Sequence, residues 1–163
     1  MTNTEFEIIV REYSDMVYRV ALNMCRNPEN SQDIMQNVFL RLYKYGKKDV
    51  TASKEYLKAW LIRVTVNESK RMLRSVAKRE WVPLDEVANT LFACDEVSKD
   101  VFTQVMSLDE KYRVVVYLYY YEGYCVKEIS RILSRKEATV RTQLSRAREI
   151  LRINLEEEND YDS

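Results

Sequence analysis

A chain of 163 residues is long enough for one ordinary domain or two small ones. With only 2 glycines and 2 prolines it lacks the turn residues a sheet protein needs, and with no histidine and 3 scattered cysteines it offers no metal set and no histidine base. Its 26 basic and 26 acidic side chains cancel, which excludes a uniformly basic nucleic-acid binder but not a chain whose charges are sorted along its length. The reading is all-α, with no cofactor and no metal.

The first half reads as helices. Phe6, Ile9, Tyr13, Met16, Val17, Val20 and Met24 recur at helical steps, so one amphipathic helix is predicted up to Cys25. Asn27 can cap the next helix and Pro28 suits its first turn. That helix runs with Ile34, Val38 and Leu42 inward and stops at Gly46. Residues 47–53 form a polar connection ending in a capping serine, Ser53. A long helix over 54–80 follows, with Leu57, Leu61, Val64 and Met72 inward.

Residues 81–104 change character: they are acidic, carry Pro83 and show no sustained period, so they read as a linker with at most one short helical piece. Ser107-Leu108-Asp109-Glu110 has the pattern of a capping box. The stretch after it, KYRVVVYLYYYEGY, favours a strand by propensity. The cap and the 16-residue spacing from Ser107 to Gly123 favour a helix, and no partner strand exists. Helix is predicted.

CVKEISRIL is a short helix with Val126, Ile129 and Leu133 inward, SRKE is a turn, and ATVRTQLSRAREIL is a second helix. Its inner stripe is Val140, Leu144, Ala147 and Leu151. Thr139, Thr142, Ser145, Arg146 and Glu149 then share the opposite face, with Arg141 and Arg148 at its edge. A short helix, a tight turn and a longer helix with alanine at the seam is the layout of a helix-turn-helix. Such a helix can present threonine and arginine to base edges in a major groove; a helical hairpin with a solvated basic face is the plainer reading.

Charge lies in blocks. Residues 1–53 carry 7 basic and 7 acidic groups, 54–80 carry 8 and 3, 81–110 carry 1 and 7, 111–153 carry 10 and 4, and 154–163 carry 0 and 5. Two basic patches flanking an acidic connector suit two contacts with one long polyanion. No apolar run of about 18 residues and no signal-peptide pattern occurs, so the expectation is a cytoplasmic protein without membrane insertion. No nucleophile–base constellation or phosphate-cradling glycine loop is evident, and no enzyme is expected.

At this point the chain resembles the extracytoplasmic-function sigma factors, two-domain initiation factors of bacterial RNA polymerase. Leu108, Arg113, Leu118, YYEG, Glu128-Ile129, Thr139-Val140 and LSRAREIL are similar to the family's region four. Asp33, Gln36 and Phe39 fall where region 2.2 has Asp, Gln and Phe; Trp60-Leu61, Arg63 and Asn67 resemble regions 2.3 and 2.4. VPLDEV is a familiar linker opening. The departures are Ser134 and Ala138 where glycine is frequent, Arg71 where the family often shows Asp, and Asn37 where an acid often follows Gln.

The resemblance implies two small helical domains joined by an acidic linker: residues 1–80 for polymerase core and −10 element, 81–104 as linker, 105–155 as the helix-turn-helix domain for the −35 element, and 156–163 as an acidic tail. Asp33, Gln36, Asn37, Phe39, Leu40 and Arg41 are the implied polymerase contacts, although Phe39 also fits the core. The implied −10 contacts are Lys47, Lys48, Ser53, Trp60, Arg63, Asn67, Lys70, Arg71 and Arg74, with Trp60 equally suited to packing between helices. Arg135, Lys136, Thr139, Arg141 and Thr142 would read −35 bases, and Arg146 and Arg148 would touch phosphates, Arg148 being equally suited to pairing with Glu149 or Glu122. Implied partners are polymerase core, promoter DNA and an anti-sigma factor, membrane-anchored or soluble. An autonomous helix-turn-helix regulator and a protein-binding adaptor are the competing readings.

Overall fold

The computed structural model describes residues 1–46, 48–75 and 99–161, and among them every regular element is a helix. Lys47, most of the expected linker and the end of the helix expected to reach residue 80 lie outside the described residues. The chain divides into two compact units, Met1–Val82 and Pro83–Ser163.

The first unit is built from α1 (Asn3–Cys25), α2 (Pro28–Tyr45), the single turn α3 (Lys48–Thr51) and α4 (Lys54–Ser75). A reciprocal box opens α1: the Thr2 hydroxyl accepts the Glu5 N–H at 3.2 Å, and the Glu5 carboxylate accepts the Thr2 N–H at 2.7 Å. Asn27 caps α2 as expected, its side chain accepting the Asn30 N–H at 2.9 Å, with Pro28 at the first helical position. Ser53 likewise accepts the Tyr56 N–H at 3.3 Å. Gly46 stops α2 for a steric reason: a Cβ there would lie 2.4 Å from the Leu42 carbonyl oxygen. Tyr13, Val17, Ala21, Ile34, Val38, Phe39, Leu42, Leu57 and Leu61 form the core, where α1, α2 and α4 each give one face. The expected inward positions Val64 and Met72 of α4 sit half-buried at its margin.

In the second unit, α5 (Lys99–Ser107) begins within the stretch read as linker. Ser107 does not cap the next helix, contrary to the sequence expectation. It ends α5, donating its hydroxyl to the Gln104 carbonyl at 2.6 Å, and Asp109 occupies the cap of α6 (Glu110–Val116) without a side-chain hydrogen bond. Buried Arg113 ties this corner, donating to the Leu108 carbonyl at 3.0 Å and the Met106 carbonyl at 3.4 Å.

The conflicted tyrosine run is helical, but not as a plain α-helix: α6 continues into a π-helical turn over Tyr117–Tyr121. The Glu122 N–H reaches the Tyr117 carbonyl at 3.1 Å and the Tyr124 N–H reaches the Leu118 carbonyl at 3.0 Å. Such a turn inserts one residue into the helix and re-aims the side chains that follow. Gly123, at φ +75°, releases the chain toward α7.

The helix-turn-helix itself is α7 (Val126–Leu133) and α8 (Glu137–Tyr161). Ile129, Ile132 and Leu133 are the buried face of α7, whereas the expected inward Val126 is half-buried. Val140, Leu144 and Ala147 are buried on α8, and Leu151 packs half-buried against the Leu108–Val116–Ala147 cluster. Ala147 is fully buried, the small residue that lets α8 approach α6.

Candidate functional site

Three exposed helix faces carry the residues of interest. On α4, Trp60, Arg63, Asn67, Lys70, Arg71 and Arg74 fall within an arc of roughly 100° at about 100° per residue. Arg63, Asn67, Arg71 and Arg74 are exposed, and Lys70 is half-buried. Trp60 packs against the core that holds Leu57 and Leu61, so its ring is half-buried rather than free. Ser53 is exposed and serves as the α4 cap, its hydroxyl also donating to Glu55 at 2.9 Å. Lys48 opens α3.

On α2, Asp33, Gln36, Leu40 and Arg41 are exposed and Asn37 is half-buried, spaced by three and four residues along one strip. Leu40 is 53% exposed, a large apolar side chain at the centre of a polar rim. Phe39 departs from the expected contact surface. It is 6% exposed and belongs to the core, one position off the strip, so it supports the strip from beneath.

A residue absent from the expected sites joins these two faces. Glu68 of α4 is 5% exposed, and its two carboxylate oxygens are shared between helices: Oε1 accepts from Arg41 of α2 at 2.8 Å and Oε2 from Arg71 of α4 at 2.9 Å. The sequence did carry its signal. The apolar stripe Leu57, Leu61, Val64, Met72 has position 68 as its missing step, and an acid there must find a cation. Grooves on both sides are lined by Asn37, Leu40 and Lys44 toward α2 and by Asn67 and Arg74 along α4.

On α8, Thr139, Arg141, Thr142, Ser145, Arg146, Arg148 and Glu149 are all exposed, opposite the buried stripe. The Thr142 hydroxyl donates to the Ala138 carbonyl at 2.9 Å, and Arg141 pairs with Glu137 at 3.0 Å. Lys136 is exposed at the helix entrance. Ser134 holds φ 53°, the left-handed conformation that explains a glycine preference at this turn. The Ser130 hydroxyl closes the turn by donating to the Arg135 carbonyl, and the Arg135 N–H returns to the Ser130 carbonyl at 3.0 Å.

Two arginines behave differently from expectation. Arg135, expected to read bases, ties the turn to its neighbours: its guanidinium donates to the Gln143 side chain at 2.9 Å and the Lys111 carbonyl at 3.2 Å. Burial pushes its pKa below the usual arginine value. Arg148 pairs with neither Glu149 nor Glu122. Its Nε donates to the Tyr120 hydroxyl at 2.6 Å, and the guanidinium lies 5.5 and 5.6 Å from the Tyr119 and Tyr120 ring centres. The hydrogen bond to Tyr120 raises its pKa. Both tyrosines lie within the π-helical turn.

Residues 9–79 match Sigma-70 region 2, and residues 99–151 match Sigma-70, region 4. An RNA polymerase sigma-E factor of Streptomyces avermitilis is 30% identical, with 93% of this chain and 86% of that one covered. The chain belongs to the ECF RNA polymerase sigma factors. This sigma factor is also 30% identical to the ECF factor SigM of Bacillus subtilis, over 88% of this chain and 91% of that one, and 27% identical to SigW of the same organism, over 92% and 88%. The sigma factor RpoE of Bartonella quintana, solved in complex with the anti-sigma factor NepR, shares the fold at a TM-score of 0.69 and 17% identity, covering 93% of this chain and 97% of that one. As a member of the family the protein is a promoter-recognising initiation factor of RNA polymerase. No described helix is long and apolar enough to cross a membrane, and no described acid–thiol group could hold a metal.

Proposed function

We propose that the sigma factor divides its work among the three faces, with residues 1–80 serving polymerase core and the −10 element and residues 105–155 serving the −35 element. The observation that carries this is the α8 face, where Thr139, Thr142, Ser145 and Arg146 are exposed directly opposite Val140, Leu144 and Ala147. A helix locked by its apolar stripe presents those side chains in fixed register, as groove readout requires. Thr139, Arg141 and Thr142 meet base edges, with Lys136 at the helix entrance; Arg146 and Arg148 meet phosphates, and Arg135 holds α8 in place.

On the first unit, the α2 strip of Asp33, Gln36, Asn37, Leu40 and Arg41 docks on polymerase, supported from below by Phe39. The α4 face binds the opened −10 element. Arg63, Lys70, Arg71 and Arg74 take phosphates, Asn67 meets a base, and Trp60 holds the face against the core. By the family resemblance, Lys47, Lys48 and Ser53 also contact the −10 element. Residues 81–104 join the units, and residues 156–163 are an acidic tail. The protein works without a cofactor and catalyses no reaction itself. Its place of action is the cytoplasm, with promoter DNA and polymerase core as partners and an anti-sigma factor, membrane-anchored or soluble, as a third.

The test is multi-round transcription with purified bacterial core polymerase, this protein and a pool of upstream genomic fragments. Discrete transcripts are expected, and these vanish when Gln36 and Leu40 are changed to alanine. Specific DNA retention by the protein alone, with core polymerase silent and unbound, would instead mark an autonomous regulator.

A further inference from the structure

The Glu68 carboxylate is almost wholly buried, yet both of its partners reach the surface: the Arg41 side chain is 47% exposed and that of Arg71 is 67% exposed. Each arginine gives the acid one terminal nitrogen, Nη2 in both cases. The rest of each planar fork is left for an outside acceptor. A buried carboxylate cannot lose its partners without a large desolvation cost, so the acid fixes the arginines more firmly than a surface pair would. Arg41 belongs to the α2 strip and Arg71 to the α4 face.

Resting on the division of faces above, we propose that Glu68 is a positioning residue common to both: one buried carboxylate aims Arg41 at polymerase and Arg71 at promoter phosphate, so that the two contacts are coupled through a shared ligand. Charge balance gives the coupling its sign. While Glu68 holds Nη2 of Arg71, a phosphate placed at the remaining edge of the fork is reached without displacing the acid, whereas a randomly placed one must compete with the carboxylate. When polymerase acceptors draw on Arg41, the acid leans harder on Arg71 and holds it in the one orientation from which a correctly placed phosphate is reached. Glu68 therefore suppresses nonspecific DNA contact and favours promoter contact in the polymerase-bound state.

The experiment uses the full chain with core polymerase, comparing wild type with Glu68→Gln, Arg41→Ala and Arg71→Ala. Thermal melting establishes that each variant folds. Core affinity, and holoenzyme affinity for promoter and nonspecific duplex over a range of salt, are then measured. Glutamine keeps the size but removes the charge. Glu68→Gln is expected to lower promoter-over-nonspecific preference roughly tenfold and to steepen the nonspecific salt slope by about 1, as the released Arg71 takes a phosphate. A folded Glu68→Gln protein with wild-type preference and slope, while Arg41→Ala weakens core binding and Arg71→Ala weakens promoter binding, overturns the proposal alone. If neither arginine variant changes binding, the assignment of faces fails and the proposal falls with it. Should Glu68→Gln not fold, the double-mutant cycle of Arg41→Ala with Arg71→Ala decides: additive effects on promoter preference overturn the coupling, and non-additive effects support it.

Discussion

Ser134 adopts φ 53°, a conformation that costs a side-chain-bearing residue about 1 kcal/mol relative to glycine. Ser134→Gly is therefore expected to stabilise the second unit by roughly 1 kcal/mol, raising its melting temperature by about 4–8 °C. Differential scanning calorimetry checks this, and promoter selectivity should not change. Arg135 and Arg146 are both arginines of a basic stretch, but they answer to different physics. Arg135→Ala removes two hydrogen bonds that tie the turn to α6 and α8, and roughly 1–3 kcal/mol of stability should go with them. Arg146→Ala removes an exposed charge. Its melting curve should match the wild type, while holoenzyme binding weakens across sequences and the salt slope falls by about 1.

Among the helices, α7 is the element most dependent on its ends. It is short, and its first turn is closed by the Glu128 carboxylate, which accepts the Cys125 backbone N–H at 2.8 Å. That hydrogen bond holds the Glu128 pKa below the usual glutamate value. A lowered folded value means that the charged form stabilises the fold above the unfolded pKa of about 4.3, and that this contribution is lost as pH falls through the folded value. Glu128→Gln is thus expected to melt lower than wild type near pH 7 and to show a shallower loss of stability as the pH falls through and below about 4.3. Helix α8 depends instead on its buried stripe: Leu144 is 2% exposed, and Leu144→Ala should cost about 2–5 kcal/mol by denaturant titration.

Over the whole molecule, neutrality results from segregation. Basic blocks at 54–80 and 111–153 are offset by acidic ones at 81–110 and 154–163. A neutral total limits nonspecific attraction to DNA, while each basic face keeps its local field. On the proposed division of work, an acidic connector between the two units would be repelled by the duplex and would suit a basic surface of the polymerase. Reversing the charges of Asp85, Glu86, Asp95 and Glu96 is accordingly expected to impair initiation in the reconstituted assay, with core affinity retained. Transcription at the wild-type level would remove that role from the connector.

The three long helices of the first unit, their caps at Asn27 and Ser53, the stop at Gly46 and the buried α8 stripe Val140–Leu144–Ala147 were readable in the sequence, because each rests on local geometry: a periodicity, a capping oxygen, a missing Cβ; the single turn α3, read as a polar connection, was not. The family was readable too, through motifs spread over both halves. What local geometry could not supply was any outcome set by competition among distant groups. The true caps around Ser107 and Asp109, the π-helical turn, the contact of Arg148 with Tyr119 and Tyr120, and the capture of Arg135 by Lys111 and Gln143 all depend on packing between elements. Phe39 could be polymerase contact or core until α1 and α4 closed over it. Glu68 stood on an apolar stripe as an unexplained acid. Only the meeting of α2 and α4 could show which cations satisfy it, since burial of a charge is decided by what the tertiary fold brings within reach.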